Sequence, residues 1–380
     1  MENNLVIALF VCRVLALVTK FFRIPPIPFY IIAGVLLGKS GLGIVASDNI
    51  SQFFSDMGLI FLLFFMGLGL KLERISANRS AVLTSGIIDL NVNMLIGFLA
   101  AYLLGFTLTQ SLIIASAFYI SSTAMAITSL IENRKLMLRE AETVIWLMMF
   151  EDLVLIIFLA VQSSGDQNLL FLGLKIAGVL LVLYALAHWG KEFLVSILDR
   201  EDELPILFTF AAVLTTAAFA MVLNVPDTMM VIALGAAFAT TDPDAFEQHA
   251  RPFKDVFLVV FFVFFGVTID LSGGADLTII AIICALAIAS KFISGIITGV
   301  IIHDSALAGI EIWGNTIGRG EFSIALAALY GSGMVSTTIA AMVIVTSIVG
   351  SFTAKYCSNL RRGIVHFGRK TPSHRVHSGR

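Results

Sequence analysis

Charged residues are scarce in this chain of 380 residues: Asp, Glu, Lys and Arg make up 13% of it, against 58% hydrophobic residues. A soluble domain carries about 25% charged residues, so the composition excludes an ordinary soluble fold. The formal net charge is −2, which provides no basic field for a nucleic-acid partner. The three cysteines lack the spacing of a metal site or a disulfide framework. No HExxH or GxSxG motif indicates an enzyme.

Long apolar runs take the place of the missing charge. Runs of about 20 residues, the length that a helix needs to cross a bilayer, recur along the whole chain. They predict an all-α polytopic membrane protein with about thirteen transmembrane helices. The predicted spans are 5–22, 27–43, 53–71, 81–104, 110–131, 140–162, 168–188, 205–222, 226–241, 254–271, 277–301, 305–330 and 336–357.

Basic residues fall almost entirely on one side of the predicted membrane. Alternate loops and the C-terminal tail carry nearly all of them, whereas the remaining loops carry only Lys39. Cytoplasmic loops are enriched in Lys and Arg. We therefore expect a multi-pass protein of the cell membrane, with its N-terminus outside and its C-terminus in the cytoplasm.

A charged linker near the middle of the chain indicates two halves of similar design. We expect a single transmembrane domain made of a first repeat, a connecting helix with the linker, and a second repeat, followed by a short basic cytoplasmic tail. These segments are 5–162, 163–204, 205–357 and 358–380. Corresponding helices are then an odd number of spans apart, so the second repeat is inverted in the membrane, as in many secondary transporters.

Polar residues interrupt the fifth and twelfth spans, which correspond under this repeat. The fifth span contains Ser121, Ser122 and Thr123 at mid-depth, and the twelfth contains GNTIGRGEF, with Arg319 and Glu321. Non-helical backbone at membrane depth is tolerated only where protein or water satisfies it. Paired interrupted helices are the best indication in a sequence of a midplane binding site, so we predict two crossed discontinuous helices there.

Two adjacent acids, Glu151 and Asp152, lie at the centre of the sixth span. Asp152 is roughly 15 Å from either end of that helix, where an ionised side chain costs roughly 3 kcal/mol or more. The pair therefore indicates an ion or proton pathway, or else a structural ion pair between helices. Neighbouring side chains on a helix point in different directions. We expect Asp152 to bind the cation and the proton, with Glu151 either beside it or paired elsewhere.

Lys291, near mid-depth in the eleventh span, is the expected partner of Glu151. The pair either opens when a cation arrives, which would couple a second proton to transport, or forms a permanent salt bridge. Ser122 and Thr123 offer oxygen ligands to a hard cation. Alternatively, their hydroxyls bond to helix carbonyls, which is common within membranes.

The remaining intramembrane charges are expected to be structural. Arg319 can satisfy carbonyl groups freed by the break in the twelfth span, or can pair with an acid such as Glu311 or Glu321. Asp89 and Asn93 lie four positions apart on one helix face. They predict a satisfied polar patch rather than a transport site.

Six segments resemble, in order, motifs of the monovalent cation:proton antiporter superfamily, in its Kef- and NapA-like branch. They are PPIPFYIIAGVLLGKSGLG (25–43), FLLFFMGLGL (61–70), SSTAMAITSLIE (121–132), FEDLVLI (150–156), RPFKDVFLVVFFVFFGVTIDL (251–271) and GRGEF (318–322). The resemblance implies exchange of Na⁺ or K⁺ for H⁺, without a cofactor, by rocking of a core domain against a dimerisation domain.

The resemblance also implies roles for particular residues. Asp152 matches the ion-binding aspartate, Thr123 a crossing-helix residue near the ion, and Lys291 the core-helix lysine that pairs with the preceding acid. The first and eighth spans match those that form a homodimer. Glu151 stands where Kef members usually carry Gln, which leaves the transport stoichiometry open.

Other classes of transporter stay open on the sequence alone. A Kef-type K⁺ efflux transporter, a bile-acid-type sodium symporter of similar fold and a cation channel are the alternatives to a Na⁺/H⁺ exchanger. The nucleotide-binding regulatory domain of Kef systems has no counterpart in the segment 358–380, so gating by glutathione or nucleotides is not expected through this chain alone.

Overall fold

The computed structural model describes residues 2–22, 25–70, 79–163, 169–271 and 276–370. The regular secondary structure in these ranges is entirely helical, as predicted. The helices, in chain order, are α1 (Glu2–Phe22), α2 (Ile27–Leu37), α3 (Asn49–Leu68), α4 (Arg79–Leu103), α5 (Leu108–Tyr119), α6 (Thr123–Glu132), α7 (Arg139–Ser163), α8 (Leu169–Trp189), α9 (Lys191–Leu198), α10 (Leu204–Leu223), α11 (Asp227–Phe238), α12 (Pro243–Thr268), α13 (Leu277–His303), α14 (Ala306–Thr316), α15 (Glu321–Tyr330) and α16 (Met334–Lys370).

These helices form a membrane bundle. Within the described ranges, nine segments are long and apolar enough to cross a bilayer, and α2, α11 and α15 are shorter apolar helices. The order of the helices follows the predicted spans when α5 with α6, and α14 with α15, each count as one pass, and when the short α9 is set apart as a helix within the predicted linker. The predicted all-α polytopic fold is therefore confirmed.

The two ends of the bundle differ in charge. The basic end carries the described residues Lys20, Arg79, Arg134, Lys135, Arg139, Lys191, Arg200, Arg251, Lys254, Lys355, Arg361 and Arg362. There, Arg361 Nη1 lies 2.7 Å from Glu140 Oε1 and ties α16 to α7. At the opposite end, Lys39 Nζ lies 3.2 Å from Asp270 Oδ2. The structure thus keeps the asymmetry that the loops show in the sequence.

Glycines allow four helices to pack backbone against backbone. A Cβ atom at Gly34 of α2 would lie 2.8 Å from the Cα of Gly266 on α12. A Cβ atom at Gly67 of α3 would lie 2.9 Å from the Cα of Gly235 on α11. Small residues permit such close approach in membranes, where packing rather than hydrophobicity holds helices together. These crossings join α2 to α12 and α3 to α11. A third, where a Cβ atom at Gly58 of α3 would lie 2.4 Å from the carbonyl oxygen of Phe257 on α12, joins the two pairs into one panel.

The two predicted interruptions meet at the centre of the opposite half of the bundle. The backbone N–H of Ser122, between α5 and α6, donates to the carbonyl of Gly318, between α14 and α15, at 2.7 Å. The close approach depends on a second glycine, since a Cβ atom at Gly320 would lie 2.5 Å from Ser122 Oγ. The two unwound segments therefore provide hydrogen-bond partners for each other's backbone groups, as is required at membrane depth.

Helix ends differ most from the prediction at three places, one of which is the start of α12, at Pro243 instead of 254. The second helix ends at Leu37, before Gly38, although the predicted span continues to 43. The last helix continues to Lys370, well past the predicted end at 357. Hydropathy locates the membrane boundary but not the end of a helix, and no proline interrupts the chain before Pro372.

Candidate functional site

A buried lysine joins three helices at the centre of the bundle. The side chain of Lys291, on α13, has no exposed surface. Its Nζ lies 2.7 Å from Asp89 Oδ2 on α4 and 2.7 Å from Glu151 Oε1 on α7. The ring of Tyr119 lies beneath the ammonium group, with its centroid 5.5 Å from Nζ. A buried charge without such partners would cost several kcal/mol, so the two carboxylates hold the lysine in place.

Asp89 is anchored by further hydrogen bonds. Its Oδ1 accepts from Asn93 Nδ2 at 2.8 Å and from Ser294 Oγ at 2.7 Å. Asn93 Oδ1 in turn accepts from Ser290 Oγ at 2.7 Å. Asp89 and Asn93 share a face as predicted, but Glu151 was the only partner predicted for Lys291. The second carboxylate was missed because its pairing joins residues that are distant in sequence.

Glu151 is fully engaged by its surroundings. One carboxylate oxygen accepts from Lys291 and from Ser121 Oγ, at 3.1 Å from the latter, and the other oxygen accepts from the Ser121 backbone N–H. Ser121 lies just before Ser122, the N-cap of α6, so the negative charge also lies at the positive end of a helix dipole. These contacts tie α7, α13 and the first interruption together.

Asp152 points into a different environment from that of its neighbour. Its Oδ1 is buried and has no hydrogen-bond partner among the described residues, and the same holds for Thr123 Oγ1 at the start of α6. A buried polar atom without a partner costs on the order of 1–3 kcal/mol, and more when it is charged. The site therefore presents oxygen atoms suited to a proton or a hard cation.

Ser122 is occupied by the crossing itself. Its Oγ lies 3.1 Å from Glu321 Oε2, at the start of α15, and accepts from the backbone N–H of Met125 at 3.3 Å. The hydroxyl thus caps α6 and joins the two interruptions. Of the two predicted hydroxyl ligands, Thr123 is the one whose oxygen is left without a partner.

Arg319 satisfies the carbonyl ends of the broken helices. Its guanidinium group, fully buried, donates to the carbonyl of Phe118 at 2.6 and 2.9 Å and to that of Ile317 at 2.7 Å. A further hydrogen bond reaches the carbonyl of Ala287 at 3.2 Å. Helix C-termini carry partial negative charge, so one arginine neutralises the ends of both α5 and α14. The salt bridges within the described residues do not include Arg319.

A second buried ion pair lies at the basic end. Lys135 Nζ lies 3.0 Å from Glu311 Oε2, 2.6 Å from the Ala354 carbonyl and 3.0 Å from Cys357 Sγ. It ties the turn after α6 to α14 and α16. Sequence reasoning counted Lys135 only among the basic loop residues on one side of the membrane. No local signal distinguishes it, because its partners come from two distant helices.

Known proteins are similar to this chain in sequence and in fold. The family model for the transmembrane sodium/hydrogen exchanger matches residues 6–357. The K⁺/H⁺ antiporter subunit KhtU of Bacillus subtilis is 30% identical over 378 residues, covering 93% of each protein. The ammonium/H⁺ antiporter subunit AmhT of Alkalihalophilus pseudofirmus is 23% identical, over 89% of this chain and 88% of that protein.

A solved structure gives the same picture of the fold. The sodium proton antiporter MjNhaP1 from Methanocaldococcus jannaschii matches with a TM-score of 0.69, at 17% identity, over 95% of this chain and 97% of that one. The family that the six motifs predicted is confirmed by the family model and the relatives. The chain therefore belongs to the transmembrane sodium/hydrogen exchanger family, within the monovalent cation:proton antiporter superfamily.

Proposed function

We propose that the protein is a secondary transporter, not an enzyme, that exchanges a monovalent cation, K⁺ or Na⁺, for H⁺. One observation carries the proposal: the buried Oδ1 of Asp152, in the middle of a membrane helix and next to Glu151, which contacts the first interruption, has no hydrogen-bond partner among the described residues. Membership of an exchanger family supports it, and the name of the K⁺/H⁺ antiporter relative favours K⁺ as a substrate.

Competition for Asp152 explains how one ion can drive the other. The ionised carboxylate, with the hydroxyl of Thr123, offers oxygen ligands to a cation that has shed water. The protonated carboxylate no longer offers this charge, so cation and proton exclude each other. If the site faces the two sides of the membrane alternately, the gradient of either ion drives movement of the other.

The lysine cluster takes a structural part in this mechanism. Asp89, Glu151 and Lys291 satisfy one another, and Glu151 has both oxygens bonded. Of the two alternatives for Glu151 and Lys291, the geometry favours the permanent salt bridge. Arg319 and Glu321 hold the crossing together from the other side. We therefore assign ion binding to Asp152 and Thr123, and support of the site to the remaining residues.

The exchange is tested in proteoliposomes that contain a pH-sensitive dye and receive pulses of K⁺, Na⁺ or Li⁺. We expect cation-triggered proton efflux from wild type and none from Asp152→Asn, which cannot hold the cation by charge. Asp199→Asn, an exposed acid in the linker after α9, is the matched control and retains wild-type rates. Full exchange by Asp152→Asn would overturn the site, and absence of a wild-type signal with every cation would favour a symporter or channel.

Orientation and assembly complete the proposal. We place the basic end in the cytoplasm of the cell, which puts the N-terminus outside and the C-terminus inside. A homodimer through α1 and α10, the first and eighth predicted spans, would cover two helices that the chain itself leaves largely exposed. Mass measurement in lipid nanodiscs tests the dimer, because a single copy of the 41.1 kDa chain would contradict it.

A further inference from the structure

Helices α3 and α12 carry the same residue pattern in opposite directions across the membrane. When Asp56 is aligned with Asp255, four further identities follow: Phe54 with Phe253, Leu59 with Leu258, Phe65 with Phe264, and Gly67 with Gly266. The structure supports this alignment, because the two aligned glycines each make a backbone crossing, with Gly235 and Gly34 respectively. Asp56 and Asp255 are therefore equivalent positions of two inverted repeats.

A cavity of about 540 Å³ opens at the end of the bundle opposite the basic end. We call it the vestibule; it lies between the α3–α12 pair and the α15–α16 pair. Its lining includes Gln52, Asp56, Phe264, Thr268, Ala327 and Ser336. Of the described residues that line it, two carry a carboxylate and none carries a basic side chain. One of these carboxylates, Asp270, is paired with Lys39.

Asp56 leaves the wall of the vestibule with uncompensated negative charge. Its carboxylate forms no hydrogen bond or ion pair with the described residues, in contrast to that of Asp270. Clefts with low-dielectric walls focus such a charge and raise the local concentration of counter-ions, with gains in association rate of tenfold or more. Phe261, Phe264 and Phe265 supply that apolar wall.

One helix, α15, contributes both to the vestibule and to the crossing next to the proposed ion site. Ala327 in its lining lies about 9 Å along α15 from Glu321. Glu321 in turn accepts a hydrogen bond from the hydroxyl of Ser122, which is next to Thr123. Helix α15 thus connects the lining of the vestibule to the crossing, where Asp152 has a buried oxygen without a partner among the described residues.

We infer that Asp56 is the carboxylate that captures the cation at the entrance opposite the basic end. Its repeat equivalent Asp255 does the same at the basic end when the transporter faces the other way. Asp255 lies twelve residues into α12, next to Lys254 at the start of the predicted span 254–271, is 62% exposed and has Lys254 Nζ 3.8 Å away. This inference rests on the proposed exchange and adds to it a residue for each entrance.

The test separates the two faces of the membrane. Uptake of radiolabelled Na⁺ or Rb⁺ against a proton gradient is measured in right-side-out and in everted vesicles, at low and high ionic strength. We expect Asp56→Asn to raise the apparent KM for the cation about 3- to 10-fold at one face only, without a change in kcat. Asp255→Asn should do so at the other face. Both effects should shrink as salt screens the charge.

Matched variants distinguish capture of the cation from a loss of structure. Asp56→Glu keeps the charge and should keep the wild-type KM, and Asp270→Asn removes an already paired carboxylate and should change KM little. An unchanged KM for Asp56→Asn at both faces, or an equal rise at both, would overturn the inference. Absence of wild-type uptake would instead refute the proposed exchange.

Discussion

At the scale of single residues, Glu151 and Asp152 show how neighbours acquire different chemistry. They are adjacent in sequence and of the same charge, yet one is bonded through both oxygens and the other has a buried oxygen without a partner among the described residues. The cause is the helix, which turns adjacent side chains about 100° apart. Only one of them can therefore face the lysine cluster.

This difference predicts opposite results for two isosteric substitutions. Glu151→Gln keeps its shape and most hydrogen bonds, and Lys291 retains Asp89, so we expect exchange to persist with reduced thermal stability. Asp152→Asn should abolish exchange with little change in stability. Dye-based flux and unfolding temperature, measured on the same preparations, check both. Loss of exchange in Glu151→Gln at an unchanged unfolding temperature would place Glu151 in the ion site.

Lys291 is predicted to be the most sensitive member of its cluster. Lys291→Met leaves Asp89 and Glu151 as buried carboxylates without their cation, and breaking a buried pair in this way costs about 3–5 kcal/mol. We expect a large fall in unfolding temperature in detergent. The surface variant Lys39→Met, which removes an exposed ion pair, should change it little. Equal effects of the two would contradict the structural role given to Lys291.

At the scale of elements, the crossed interruptions depend on a glycine that admits no side chain. Gly320→Ala would place a Cβ atom 2.5 Å from Ser122 Oγ and separate the two unwound segments. We predict lower stability and strongly reduced exchange. Gly173→Ala in α8, where a Cβ atom meets nothing within 4 Å, is the matched control and should be neutral or slightly stabilising. Equal unfolding temperatures for the Gly320→Ala and Gly173→Ala variants would contradict the close packing of Gly320 against Ser122.

The sequence predicts elements better than the contacts between them. The interruptions near Ser122 and Arg319 were predictable because hydroxyls, glycines and charges cannot face lipid as regular helix. The adjacent acids were predictable because charge at the midplane is costly. The links from Lys291 to Asp89 and from Lys135 to Glu311 were not, because they join distant helices whose packing no local pattern specifies.

At the scale of the whole molecule, the charge of the site predicts the stoichiometry. Among the candidate ion-binding acids, only Asp152 has a buried oxygen left without a partner, so the site carries the same charge when it holds a monovalent cation as when it holds a proton. We therefore predict electroneutral exchange of one cation for one proton. The rate of cation-driven proton efflux should stay constant in proteoliposomes clamped at different membrane potentials. A rate that changes with the membrane potential would contradict electroneutral exchange and would indicate that the Glu151–Lys291 pair carries a second proton.

The last helix is longer than the membrane is thick. Its 37 residues, Met334–Lys370, span about 55 Å, whereas the hydrocarbon core measures about 30 Å. Within the bundle, Ser347 Oγ donates to the carbonyl of Arg319 at 2.6 Å, and Thr346 Oγ1 accepts from its backbone N–H at 3.2 Å. The same rod that braces the crossing thus projects past the basic end. A force applied to its protruding end would therefore be transmitted along one continuous helix to the backbone of Arg319, which supports the ion site.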